Sequence, residues 1–224
     1  MATTKAAGKG NKTKPSDHHD KLVKAYKEYV LLNGTEPPSV FQFTHELEIP
    51  EEEFYKYFGS FASIQREIWK SYVAGTLNVL HADKQYAEYS IREKLLAFYY
   101  TMMEILKKDR SYAILSFKDV KRSDITPAFL KSFKSEFHHY IQQLISDGLA
   151  TEEIVKRPVI SERYKDALWL QLVFVINFWL KDDSPNFEKT DAAIEKSVNL
   201  SFELMGKGPL DMMVDFAKFL YQNR

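Results

Sequence analysis

The chain has 224 residues, 45% hydrophobic and 28% charged, with 31 basic and 31 acidic side chains. That fits one medium globular domain, or a small domain fused to a larger one, and its balanced charge gives no global pull toward nucleic acid, so any such role must rest on a local patch. The lack of cysteine excludes disulfides, thiolate catalysis and Cys-ligated zinc, and is compatible with a reducing cytoplasm, the expected location.

Residues 1–16 carry lysines, no acidic side chain and no periodicity, which predicts a disordered basic arm. It is either a solvated tail or a source of non-specific phosphate attraction through Lys5, Lys9, Lys12 and Lys14. No apolar segment follows these lysines, so no secretory signal is expected. From Asp20 the pattern turns helical, with Leu22, Val23, Tyr26, Tyr29 and Val30 on one face. Asn33-Gly34 is expected to stop this helix, with Gly34 as a left-handed cap. Ser39 and Gln42 fit a capping box opening a short second helix that ends near Leu47. Pro50 suits the start of a third helix through EEEFYKYF, Gly59 ends it, and Ser60 can cap a fourth helix from Phe61 to about His81. Further helices are predicted near 90–108, 111–120, 127–146, 161–181, 187–205 and 210–222, with breaks at KDRS, KRSDITP, SDGLATEE, DDSPN and GKGP. No segment reads as a strand, so the fold class is all-α. The expected domains are 17–62, a three-helix unit with a tight turn between its second and third helices, and 63–224, a larger helical body.

The stretch AYKEYVLLNGTEPPSVFQFTHELEIPEEEFYKYFGSFASIQREIW resembles the N-terminal domain of the TetR family of transcriptional regulators. FYKYFGSFASI carries most of the likeness, with Tyr55, Phe58, Gly59 and Ser60 in the expected order. The resemblance implies a helix-turn-helix whose third helix enters the major groove of operator DNA while the start of the fourth meets the backbone. It places Ser39, Gln42, Glu51, Glu52, Glu53, Tyr55, Lys56, Tyr57 and Ser60 at the DNA. It further implies a C-terminal body that forms a homodimer and encloses a small effector, whose binding would shift the affinity for a two-half-site operator.

Three departures stand out. Glu51-Glu52-Glu53 occupies positions where family members have small or basic residues, Phe61 stands where a lysine is common, and Glu48 sits at a turn position commonly held by glycine. Five glutamates fall between positions 46 and 53. At a helix N-terminus glutamates complement the macrodipole. Near phosphate they oppose the cationic contacts that supply affinity, although one glutamate can accept from a cytosine amine. The run is therefore open to three readings: helix capping, weakened DNA binding, or base reading. Lys21, Lys24, Lys27, Lys56, Arg66 and Lys70 are available as compensating phosphate contacts.

In the body, ALWLQLVFVINFWL (167–180) is apolar nearly all round and shorter than a membrane span needs, so it is expected inside protein, with no membrane partner. Leu168, Leu172, Val175, Ile176 and Trp179, together with Ile194 and Val198 of the next helix, are candidates for a two-fold interface, or else core of a monomer. Phe98, Met102, Tyr112, Phe133, Phe137 and Trp169 are candidates for lining an apolar effector pocket, or else plain core. FWLKDDSPNFEKTDAAIEKS resembles a short segment of the TetR-fold lipid-binding accessory proteins of ubiquinone biosynthesis. This implies a second function, a ligand- or lipid-binding protein of the same fold that no longer reads DNA. Asp182 to Pro185 also reads simply as a helix stop and cap.

His138 and His139 are adjacent and splay about 100° apart on a helix, so they cannot share a metal. No HExxH, P-loop or GxGxxG occurs. No catalytic residue, metal or cofactor is expected, and no enzyme.

Overall fold

The computed structural model describes residues 15–121, 123–158 and 160–223, and no strand occurs among them. The expected arm lies almost wholly in residues 1–14, outside the described residues. The chain is all-α and packs as two units, Met1–Ile64 and Gln65–Arg224.

In the first unit, α1 spans Pro15–Asn33, starting five residues before the periodicity does. Leu22, Tyr26 and Val30, spaced four apart, are its buried edge. Gly34 takes φ +70° and its N–H donates to Val30 O at 2.8 Å, the left-handed stop expected there. Helix α2 spans Val40–Glu46. Ser39 caps it, its Oγ accepting from Gln42 N at 3.1 Å, but Gln42 Nε2 turns forward to Glu46 Oε1 at 3.2 Å. Only half of the capping box forms. After the turn 47–50, α3 spans Glu51–Tyr57, and α4 begins at Phe61.

Aromatic rings hold these pieces. Phe54 lies 6.4 Å from Phe43, 6.0 Å from Phe58 and 5.5 Å from Phe61, and Phe61 stacks on Tyr26 at 5.6 Å. Phe61 is thus a core residue, which accounts for the absence of a surface lysine at that position. In the turn, Glu48 adopts φ +56°, a left-handed conformation that costs an L-residue about 1–2 kcal/mol. Glu48→Gly is expected to raise stability by about 1 kcal/mol, because relief of this strain outweighs the greater freedom of glycine in the unfolded chain. Urea denaturation tests it, and an unchanged or lower midpoint would refute the strain.

The second unit comprises the rest of α4 (Phe61–Ala82 in full), α5 (Ile91–Lys107), α6 (Arg110–Phe117), α7 (Lys131–Ala150), α8 (Tyr164–Lys181), α9 (Glu188–Met205) and α10 (Pro209–Gln222). Helix α8 packs against α7 on one side and α9 on the other, and α9 also packs on α5. Helix α5 opens with a complete capping box, Glu93 Oε2 accepting from Ser90 N at 2.8 Å. Helix α7 runs past the stop expected at 146. Gly148 is needed there as an open space: a Cβ on it would lie 2.7 Å from Ile154 Cδ1.

Two buried polar hubs stitch the connections. Asp182, after α8, accepts from Ser184 N and Oγ through Oδ1 at 2.9 and 2.6 Å, and from Thr190 N and Oγ1 through Oδ2 at 2.8 and 2.7 Å. Burial pushes its carboxyl up, but these four bonds outweigh it and hold it well below the usual carboxylate range. The DDSP segment is therefore a helix junction built around one carboxylate. Arg157 forms the second hub. It donates to Asp211 through Nε at 2.7 Å and Nη2 at 2.8 Å, to Tyr164 Oη at 2.8 Å, and to the carbonyls of Leu204, Met205 and Gly206 at 3.1, 3.2 and 2.7 Å.

Candidate functional site

The first unit presents the geometry of a helix-turn-helix. Phe43 of α2 and Phe54 of α3 face inward, which turns the intervening polar positions outward. Ser39, Gln42, Glu52, Lys56 and Ser60 are exposed, Tyr55 is 54% exposed, and Glu51, Glu53 and Tyr57 are half-buried. Several of these side chains are already engaged locally. Tyr55 Oη donates to Glu51 Oε1 at 3.3 Å, Lys56 Nζ is paired with Glu53, and Tyr57 meets His19 edge-on with ring centroids 5.9 Å apart. The cation on α3 is thus held by one of the three glutamates. Lys21 is engaged as well, donating to Leu47 O at 3.0 Å across the α1–turn contact.

In the second unit the six candidate lining residues, Phe98, Met102, Tyr112, Phe133, Phe137 and Trp169, are only 0–2% exposed. Part of the set is one ring cluster: Phe137 lies 5.5 Å from Phe98 and 6.1 Å from Trp169, and Trp169 lies 6.0 Å from Phe133. Phe98 stacks on Tyr140 at 4.6 Å, and the Tyr140 hydroxyl sits 3.0 Å from that of Tyr86. Trp69 joins the cluster through Phe133 at 5.9 Å. Sequence spacing did not single out Tyr86 or Trp69, because nothing local marks which of many aromatics converge.

The seven interface candidates are also core. Leu168, Leu172, Val175, Ile176, Trp179, Ile194 and Val198 are 0–2% exposed within one protomer, which fits the core alternative rather than the interface one. The cause is that α7 and α9 cover opposite sides of α8, leaving a narrow outer stripe. That stripe carries Leu170 and Phe174 of α8 beside Leu200 and Leu204 of α9, all 42–60% exposed. A shallow apolar groove of about 520 Å³ lies between the two helices, lined by Phe174, Phe178, Ala192, Ala193 and Leu200.

A polar groove of about 800 Å³ between α7 and the start of α8 includes Lys134, His138, Lys165 and Asp166. Burial holds His138 below its ordinary pKa of 6.5. Lys134 and Lys165 push the same way, while Asp166, with Oδ1 3.9 Å from Nε2, opposes them. The folded chain therefore resists a proton that the unfolded chain accepts. This contribution to stability is intact above pH 6.5 and is lost as pH falls from 6.5 toward the lower folded value. His138→Gln is expected to flatten the fall of the urea midpoint across that window, and an unchanged slope would show that other groups set it.

Two helical units, one with the geometry of a helix-turn-helix and the other a body with an aromatic interior, define an all-α, helix-turn-helix class of fold. A family model, the tetracyclin repressor-like, C-terminal domain, matches residues 94–220. A protein of Syntrophomonas wolfei assigned as a TetR-family transcriptional regulator superposes with a TM-score of 0.66 at 15% identity, covering 85% of this chain and 96% of that one. A second protein so assigned, from Shewanella sp. PV-4, gives 0.58 at 13% identity over 84% and 97%. A protein of unknown function from Rhodococcus sp. RHA1 gives 0.57 at 11% identity over 85% and 96%. No curated protein sequence matches the chain. The chain belongs to the TetR family and has its all-α fold. No helix of the described residues is long and apolar enough to cross a membrane.

Proposed function

We infer that the chain is a cytoplasmic, dimeric transcriptional regulator, with Ser39–Phe58 as the reading head and the helical body as the receptor for a small apolar effector. The observation that carries this reading is the α2–turn–α3 geometry, with its phenylalanines inward and its polar side chains outward, in a chain of the TetR family. Outward-facing Gln42, Tyr55 and Lys56 supply donors for base edges and phosphates. The outer stripe of α8 and α9 supplies the two-fold contact, and the Phe98–Phe137–Trp169 ring cluster is where an apolar effector inserts, displacing rings that are otherwise close-packed. Effector binding then favours whichever state it fits better.

Binding to DNA from the gene's own upstream region, measured across a salt series, tests the proposal. Specific binding with a steep salt slope is expected. No binding at low salt, together with an apolar ligand that co-purifies, would overturn it in favour of a ligand- or lipid-binding protein of the same fold. One observation favours that second reading: Glu51, Glu52 and Glu53 fill the first turn of α3, and Glu53 takes up its cation.

A further inference from the structure

Helix α10 carries an uncovered apolar stripe among its described side chains. Met212, Met213, Phe216, Phe219 and Leu220 follow an i, i+1, i+4, i+7, i+8 spacing, which places them in one stripe. All five are 52–74% exposed. A stripe of that kind is what a helix normally turns toward a core, and patches of this size mark interaction sites. The helix is anchored at its first turn, where Asp211 meets Arg157. Its N-terminus follows directly from α9, whose exposed Leu200 and Leu204 belong to the outer stripe.

The area available selects the occupant. The outward apolar residues of α8 and α9 offer roughly 400 Å² per protomer, against the about 800 Å² per partner of a standard interface. The α10 stripe adds roughly 700 Å², enough to close the deficit. A matching surface exists on the same unit. On the side of α8 away from α9, a groove of about 610 Å³ has an apolar floor that includes Ile114, Phe117, Ile125, Phe174 and Phe178, and a polar margin with Lys121, Asp124, Asn177 and Lys181. Phe174 and Phe178 line both this groove and the α8–α9 groove, so their apolar parts are continuous. A membrane surface fits α10 less well, because such helices carry Lys and Arg on their polar side, whereas α10 holds Asp211, Asp215 and a single lysine, Lys218.

We propose that α10 crosses to a second copy of the chain and lays its Met212–Leu220 stripe in that copy's groove between α6 and α8. This rests on the dimer reading above and extends it: the interface is a reciprocal clasp rather than a four-helix contact alone. Sedimentation equilibrium of the full chain with Phe216→Glu/Phe219→Glu, with Ile114→Glu/Ile125→Glu, and with all four changes tests it. All four side chains are well exposed in the protomer, so the melting temperature of the monomeric species is expected to hold. Each pair of changes is expected to weaken dimerisation about a hundredfold, and the two together by no more than either alone, because both delete one contact. Wild-type dimers with an α10 variant unchanged within about twofold would overturn the clasp and leave the dimer standing. A wild-type chain that is monomeric at micromolar concentration would overturn the dimer and the clasp together. Wild-type binding to phosphatidylcholine–phosphatidylglycerol vesicles, lost in the α10 variant while dimerisation is retained, would also overturn the clasp, in favour of a lipid surface.

Discussion

Replacing Arg157 with Met is expected to destabilise the second unit by about 3 kcal/mol and lower its melting temperature by roughly 6–12 °C. The guanidinium is buried and spends its donors on six acceptors, three of which are the carbonyls that end α9. Helix C-terminal carbonyls have no partner within their own helix, so a side chain must satisfy them if water does not. Methionine fills the volume but leaves the Leu204 and Gly206 carbonyls and the Tyr164 hydroxyl short of a donor, while Met205 O keeps the Val155 N–H at 2.8 Å. The cost falls at the low end for a broken buried pair because Asp211 is 38% exposed and regains water. Arg157→Lys is expected to recover little, since one ammonium cannot reproduce the planar fork that grips Asp211 from Nε and Nη2. Asp211→Asn is expected to cost clearly less than either, because the carbonyl bonds survive it. Thermal and urea unfolding of the three variants decide the matter. A Met variant within 1 kcal/mol of wild type would show that the hub is dispensable.

Neither polar hub was legible in the sequence. Arg157 stands in a loop, KRPV, with no pattern around it, and all its acceptors but Tyr164 Oη lie 47 to 54 positions away. Asp182 was legible as a helix stop, but not as the acceptor of four bonds, two of them from Thr190 eight residues on. What the sequence did carry was whatever local chemistry decides. Gly34 ends α1 because only a left-handed residue satisfies the last carbonyls, and Pro50 opens α3 because its missing N–H is harmless there. Gly148 shows the limit of that logic. It reads as a stop, yet α7 runs two residues past it, and it is kept small by Ile154, a contact its own segment does not announce.

The same limit explains the body. ALWLQLVFVINFWL is apolar nearly all round, so the sequence establishes that α8 is buried but not by what. The α8 residues open to either reading, interface or core, lie where the protomer's own α7 and α9 pack, while Leu170 and Phe174 lie on the side left open. At position 61 the correction runs the other way. A departure that read as a lost phosphate contact is a gain of core, with the Phe61 ring against Tyr26, Phe43 and Phe54. That leaves the glutamate run as the departure that bears on DNA.

Changing Glu51, Glu52 and Glu53 together to glutamine is expected to raise affinity for non-specific duplex DNA about tenfold at low ionic strength. Three charges roughly 8 Å from phosphate in water each oppose binding by about 0.5 kcal/mol, and together this approaches one decade in affinity. The variant also releases Lys56 from Glu53, freeing a cation on the outward face of α3. Screening sharpens the test: near physiological salt the Debye length is about 8 Å, so most of the gain is expected to vanish there. The change should cost some stability, because glutamates in the first turn complement the helix dipole, and a modest loss of melting temperature is expected alongside the tighter binding. The readings of the run then separate by pattern. If the glutamates only oppose phosphate, specific and non-specific binding rise in parallel. If one of them accepts from a cytosine amine, binding to the gene's own upstream DNA falls while non-specific binding rises. If neither moves at low salt, α3 does not face DNA, the run is helix capping alone, and the reading head assigned to Ser39–Phe58 must be given up.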